Sequence, residues 1–193
     1  MPKKGHSVKY EIRKYGDPIL RREADPIEQV DEELRQLARD MIQTMRDARG
    51  VGLAAQQIGL AVSICVVEVP ADYDVDEEGA SLNPAIQMPL VLINPSIIQC
   101  AERKDTREEG CLSFPGIDGP IQRPVDATVR YMDTDGEERE CLLKGFVARV
   151  VQHEIDHLNG VLFIDRMSQV KRIDLSGRLK RMRKETQAAL ATR

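Results

Sequence analysis

A chain of 193 residues, 41% hydrophobic and 31% charged, is long enough to bury a substantial core within one domain. Its formal net charge of −4 gives no overall basis for nucleic-acid binding, and no apolar run approaches the length that spans a bilayer. The N-terminal stretch MPKKGHSVKYEIRKYGD lacks the apolar core of a secretory signal, which points to a cytoplasmic protein with neither membrane nor DNA as partner.

From Asp31 to Arg49, apolar residues recur at Leu34, Leu37, Ala38, Met41, Ile42 and Met45. This is a helical stripe, opened by an acidic first turn and closed by Gly50. The small-residue run Gly50-Val51-Gly52-Leu53-Ala54-Ala55-Gln56-Gln57 follows and lets another backbone approach closely. Ala61 to Val69 and Leu90 to Asn94 read as buried strands, and the acidic stretch 71–89 between them reads as a surface loop. Val125, Ala127, Val129 and Tyr131 alternate with polar residues, Asp133-Thr134-Asp135-Gly136 turns the chain, and a partner strand runs through Leu143. That pattern predicts a β-hairpin.

Gly145 to Leu158 then forms a helical pattern that Asn159-Gly160 stops. Its Phe146, Val150, His153 and His157 share one stripe, so an apolar wall leads to the two imidazoles. The stretch from about Ser168 to Arg193 is a basic, then alanine-rich, helical pattern carrying Lys171, Arg172, Arg178, Lys180, Arg181, Arg183 and Lys184. Such a charge run is commonly a solvated helix face. With no internal repeat, residues 1–193 read as a single domain, with 168–193 as a basic C-terminal helical extension. The architecture expected is α+β, with antiparallel or mixed β-sheets packed around the central helix, an N-terminal helix and a C-terminal helix.

Within that central helix, His153-Glu154-Ile155-Asp156-His157 reads H-E-x-x-H. One helical turn separates the imidazoles, so both project from one face toward a shared metal ion. Glu154 beside them is placed to handle the proton of a metal-bound water. Only three histidines occur, and the third, His6, lies in the polar N-terminal stretch, so the remaining ligand has to be a carboxylate or a cysteine. A histidine six residues past the second is excluded by Phe163, and a downstream helical glutamate would have to be Glu185 in the basic tail. Cys111 is the better ligand, because a thiolate beside a metal is deprotonated at neutral pH. A His₂Cys site with an open fourth position is catalytic in form. The other cysteines, Cys65, Cys100 and Cys141, fall in strand-like apolar contexts and read as buried small hydrophobes, with no C-x-x-C pair and no disulfide expected.

Three segments resemble the peptide deformylases, metalloenzymes that remove the N-formyl group from nascent chains. Gly50 to Gln57 is similar to the family's G-x-G-x-A-A-x-Q, Glu109-Gly110-Cys111-Leu112-Ser113 to its E-G-C-x-S, and Gln152 to His157 to its Q-H-E-x-D-H. The resemblance extends from about Tyr15 to Met167. It implies that Cys111, His153 and His157 hold one divalent metal with water as fourth ligand. The ion is Fe²⁺ in this family, with Zn²⁺, Ni²⁺ or Co²⁺ able to substitute. The water, deprotonated with help from Glu154, would attack the formyl carbon, while the Leu112 backbone N–H and the Gln57 amide meet the developing oxyanion. N-formylmethionyl peptides would lie extended against Gly50 to Gly52 and Gly110, with the methionine side chain against Val51, Phe146, Val150 and the flank of His153.

Asp156, Glu109 and Gln152 are candidates to orient the histidines or to serve as structural partners. The resemblance also suggests that the basic C-terminal helix docks on the ribosome. Two rival readings are a zinc metallopeptidase cutting internal bonds and a non-catalytic binding homologue. The second needs a damaged site, yet Gln57, Leu112, Glu154 and all three ligands are present.

Overall fold

A computed structural model describes residues 8–192; His6 lies outside them. Helix α1 (Glu32–Asp47) begins where Asp31 accepts a hydrogen bond from the Leu34 N–H at 2.8 Å, and it buries Ala38, Met41 and Met45. Its stop differs in detail from the sequence reading. Arg49, not Gly50, takes the left-handed conformation (φ 58°), and the Gly50 N–H returns to the Met45 carbonyl at 2.9 Å. Glycine at position 50 instead makes room for a neighbour: a Cβ there would lie 2.6 Å from Leu112 Cδ1, and that side chain would have to shift.

The small-residue run divides into strand β1 (Gly52–Ala54) and a 3₁₀ turn over Ala55–Ile58. Strands β2 (Ile64–Val67), β3 (Leu90–Cys100), β6 (Asp126–Met132) and β7 (Glu138–Lys144) join β1 in an antiparallel sheet of order β1-β2-β3-β6-β7. The expected β6–β7 hairpin is present. β3 runs well past the expected end at Asn94, although Pro95 cannot donate to a ladder. The chain absorbs the proline in a bulge, with Asn94 at φ 50° and a register shift between Ile93 and Ser96. The Asn94 side chain holds this bend by accepting from the Ile27 N–H (2.9 Å) and donating to the Ile27 carbonyl (2.7 Å).

Beyond the bulge, β3 runs off the core, and residues 96–100 are exposed. Cys100 is therefore exposed rather than buried, Cys141 is half-buried, and only Cys65 of the three matches the small-hydrophobe reading. All four thiols are free.

Strands β4 (Lys104–Gly110) and β5 (Asp118–Pro124) form a separate two-stranded sheet that the sequence reading did not anticipate. β4 reads Lys-Asp-Thr-Arg-Glu-Glu-Gly, nearly devoid of β-branched and aromatic residues, so its pairing is dictated by tertiary context.

Helix α2 (Gly145–Leu158) is buried at every position from Val147 onward. Val147, Ala148, Val151 and Ile155 pack with Ala54, Cys65, Val67, Leu92, Val129 and Leu143 of the larger sheet. The 71–89 loop seats the start of this helix. Asn83 Nδ2 donates to the Lys144 carbonyl at 3.1 Å, and the Lys144 N–H donates back to Asn83 Oδ1 at 2.9 Å.

The C-terminal stretch forms two helices, α3 (Gln169–Asp174) and α4 (Ser176–Ala191). Leu175 and Leu179 enter a second core with Leu20, Phe114, Ile121 and Phe163, and half-buried Met182 packs against it. Arg178, Lys180, Arg181, Arg183 and Lys184 remain exposed. The fold is α+β as read, and no helix among the described residues is long and apolar enough to cross a membrane.

Phe114 is the keystone of the second core. It stacks on Tyr15 (centroids 4.8 Å) and meets Phe163 edge-on (5.0 Å) at 1% exposure. Phe114→Ala should lower unfolding free energy by about 3–5 kcal/mol, read from urea denaturation curves.

Candidate active site

Helix α2 presents His153 and His157 from one face, with ring centroids 5.0 Å apart. Cys111 follows the last residue of β4, and its Sγ lies 3.2 Å from His157 Nε2. The donor atoms of Cys111, His153 and His157 all fall within 4.8 Å of one another, so together they could hold a metal ion. Donors sharing one tetrahedral ion sit about 3.5 Å apart, given metal–sulfur and metal–nitrogen bonds of roughly 2.3 and 2.0 Å. The set fits.

Electrostatics agree with the geometry. Burial alone would lower the His153 imidazole, but Cys111 and Glu109 together push it up to about 10. Positive charge is thus favoured at His153, beside Cys111 and Glu109, whereas burial and the charges of His153 and Arg123 push the His157 imidazole well below its usual value. Glu109 Oε2 lies 3.1 Å from His153 Nδ1 and so leaves Nε2 as the ring's free donor. Burial acts to raise the Glu109 carboxyl, yet hydrogen bonds from His153 and Arg123 outweigh it and hold the group at about 2.

Glu154 has the opposite character. Burial pushes its carboxyl up to about 7, against the pull of His153 and Arg123. Its Oε2 is buried with no hydrogen-bond partner among the described residues. A carboxyl in that range is poised to take and return a proton near neutral pH. Gln57 is oriented by its own neighbours. Its Oε1 accepts from the Ala54 N–H at 2.8 Å, which turns Nε2 toward Cys111 Sγ (3.4 Å) and Ser113 Oγ (3.3 Å). Leu112 is held next to the thiol where Lys14 Nζ donates to its carbonyl at 2.8 Å.

These groups line a cavity of about 360 Å³. Val51, Gly52, Gln57, Gly110, Cys111, Leu112, Phe146, Val150, His153 and Glu154 all face it, so every expected site residue except His157 appears on its wall. His157 lies just behind, against the Cys111 sulfur. β1 forms an edge of the larger sheet, and its Gly52 lies on the cavity wall.

Other residues were not read from the sequence. Arg123 is 2% exposed and donates Nε and Nη2 to Glu109 (2.7 and 3.0 Å) and Nη1 to Asp156 (2.7 Å). Arg149, 3% exposed, donates Nη1 to Glu109 Oε1 at 2.5 Å. Asp156 also pairs with Arg166. Of the three uncertain polar residues, Glu109 contacts a histidine and Asp156 pairs with arginines. Gln152 Nε2 caps the Pro124 and Ala148 carbonyls (3.0 and 3.1 Å). One signal for Arg149 was available: it precedes His153 by one helical turn, so it had to share the buried stripe.

A Cys-His-His donor set beside an unpaired buried glutamate, set in an α+β frame, defines a metal-dependent hydrolase. Residues 9–173 match the polypeptide deformylase family. A peptide deformylase of Opitutus terrae is 45% identical over 179 residues, covering 91% of this chain and 93% of that protein. The crystal structure of the Thermotoga maritima peptide deformylase superposes with a TM-score of 0.74 at 42% identity, covering 83% of this chain and 99% of that one. A plant peptide deformylase structure gives 0.82 at 33% identity, covering 97% and 96%. The chain belongs to the polypeptide deformylase family.

Gly52 leaves room for the glutamate: a Cβ there would lie 2.3 Å from Glu154 Oε1 and 2.9 Å from Val150 Cγ1. Gly52→Ala should keep the fold and the bound metal while cutting the hydrolytic rate on the order of 100-fold, seen as reduced turnover at full metal content.

Proposed function

We propose that this chain hydrolyses the N-formyl group of peptides that begin with formylmethionine, releasing formate and a free amine. One observation carries the reading: Cys111, His153, a near-neutral glutamate and an oriented glutamine amide share the wall of one cavity, with His157 directly behind the thiol to complete a set of three soft and borderline donors. Cys111, His153 and His157 would hold the metal, which when bound supplies Lewis acidity and acidifies water at neutral pH. Glu154 takes the proton of the attacking water and returns it to the departing amine. The Gln57 amide and the Leu112 backbone N–H meet the negative charge that develops on the formyl oxygen.

Phe146 and Val150 supply apolar contact for the methionine side chain. The peptide backbone pairs along Val51, Gly52 and Gly110, where glycines keep side chains from crowding it. Fe²⁺ is the proposed ion, with Zn²⁺, Ni²⁺ or Co²⁺ as substitutes, since intrinsic affinity does not favour iron and occupancy follows supply. A cytoplasmic site of action suits such a substrate. The metallopeptidase and non-catalytic readings are both set aside by the family to which the chain belongs, and the presence of Glu154, Gln57 and Leu112 on the cavity wall supports the catalytic one.

Glu154→Ala should retain metal and lose turnover on formyl-Met-Ala-Ser, while the acetylated twin stays intact with the native chain; equal hydrolysis of both peptides would overturn the assignment. Gln57→Ala should cost about 3 kcal/mol in the barrier, near a hundredfold in kcat.

The exposed basic face of α4 supports docking on ribosomal RNA. Truncation is a poor test, because Leu175 and Leu179 belong to the core. Reversing Arg181, Arg183 and Lys184 to glutamate should instead abolish salt-sensitive co-sedimentation with ribosomes at unchanged activity. Undiminished co-sedimentation would exclude the docking.

A further inference from the structure

We propose that Arg149 is a positioning residue whose guanidinium clamps the hairpin carrying Cys111 to the helix carrying His153 and His157, and so sets the geometry of the metal centre. The inference rests on the metal-site reading above. Its ligands come from two units that share no strand pairing. Cys111 directly follows β4, and the β4–β5 sheet stands apart from the five-stranded one. Both histidines belong to α2, which packs on that larger sheet. Metal–ligand distances tolerate only about 0.2 Å of error, so something has to hold the two units in register.

Arg149 does this from a single side chain. Nη1 reaches Glu109 Oε1 at 2.5 Å and the Ile121 carbonyl at 3.0 Å, while Nη2 reaches the Asp105 carbonyl at 3.0 Å and also the Asp105 carboxylate. The helix is thereby tied to both ends of β4 and to β5. Glu109 in turn contacts His153 Nδ1, so the clamp and the ligand ring share one carboxylate. Arg123 makes the converse link, from β5 to Asp156 on α2.

Stability alone does not require an ion-paired guanidinium here, because a whole buried ion pair can commonly be replaced by apolar residues of similar volume without loss, although removing one partner by itself is costly. An apolar side chain at 149 would fill space on the cavity wall. It would not connect Asp105, Glu109 and Ile121.

The test loads the full chain with Zn²⁺ and follows the rate of metal loss to excess EDTA, well below the unfolding temperature. The variants are Arg149→Met, Arg149→Lys, Asp105→Ala and the Arg149→Met/Asp105→Ala pair. Arg149→Met should release metal roughly 10–100 times faster than the native chain, with Arg149→Lys between them. Asp105→Ala leaves Glu109, His153 and the cavity wall in place, yet should also speed release. The double variant should be no faster than Arg149→Met, because both changes open one clamp.

A merely structural arginine would lower the melting temperature and leave the release rate unchanged, which would overturn the proposal. Native release from Asp105→Ala would do the same, since the carboxylate that anchors the clamp at the far end of β4 would then contribute nothing to holding the metal. If Arg149→Met does not fold, Arg149→Lys and Asp105→Ala decide by the same readout. No formylated substrate enters the measurement, so loss of the deformylation reading would show separately. A native chain that holds no Zn²⁺ would overturn the metal site and this inference together.

Discussion

A carboxylate buried at position 109 has to be neutralised, and the way this chain does so organises the rest of the site. Glu109 receives Arg123 at both oxygens, Arg149 at one and His153 at the other. Unpaired, a buried carboxylate would take up a proton; shared among three donors, it stays ionised. Ionised, it can fix the His153 ring and leave one nitrogen for a metal. The same contacts join three elements, since Glu109 lies on β4, Arg123 on β5, and Arg149 and His153 on α2.

The two glutamates show how environment separates like groups. Glu109 and Glu154 are both buried and both near His153. Glu109 has two arginines in direct contact and is held at about 2, whereas Glu154 has an oxygen without a partner and is pushed up to about 7. One carboxylate is locked into a supporting role, and the other is left able to exchange a proton. Gly52 makes the difference possible, because any larger residue would occupy the space that Glu154 Oε1 now fills.

Much of this was legible in the sequence wherever a local pattern coincides with a packing demand. Helix α1 has a clear apolar stripe and an acidic first turn, and the β6–β7 hairpin has alternation and a turn, so the local pattern suffices for both. H-E-x-x-H on the apolar stripe of α2, the shortage of histidine and the E-G-C segment together pointed to the donor set that the fold brings together. What escaped was governed by distant contacts. β4 is a strand made of charged residues, stabilised by pairing with β5 rather than by propensity. β3 passes Pro95 through a bulge at which Asn94 bonds to Ile27, 67 positions away, and the extension carries Cys100 out of the core. The ion network escaped for a related reason. A lone arginine in sequence reads as surface, and only the fold reveals that Arg123 meets Glu109 and Asp156.

Helix α2 resolves the tension between a rigid centre and an open cavity. A helix buried at nearly every position can hold ligands tightly, but it leaves little room for substrate. Here one face is divided along its length. Phe146 and Val150 line the cavity, His153 and His157 face the thiol, and Arg149 turns toward the hairpin. The remaining positions, Val147, Ala148, Val151 and Ile155, anchor the helix to the sheet. Because the apolar cavity wall and both histidines ride on one rigid element, Phe146 and Val150 keep a fixed separation from the two imidazoles. The cysteine alone comes from outside that element. Its alignment therefore depends on side-chain contacts between hairpin and helix, and buried arginines with planar, multi-donor heads are suited to make them.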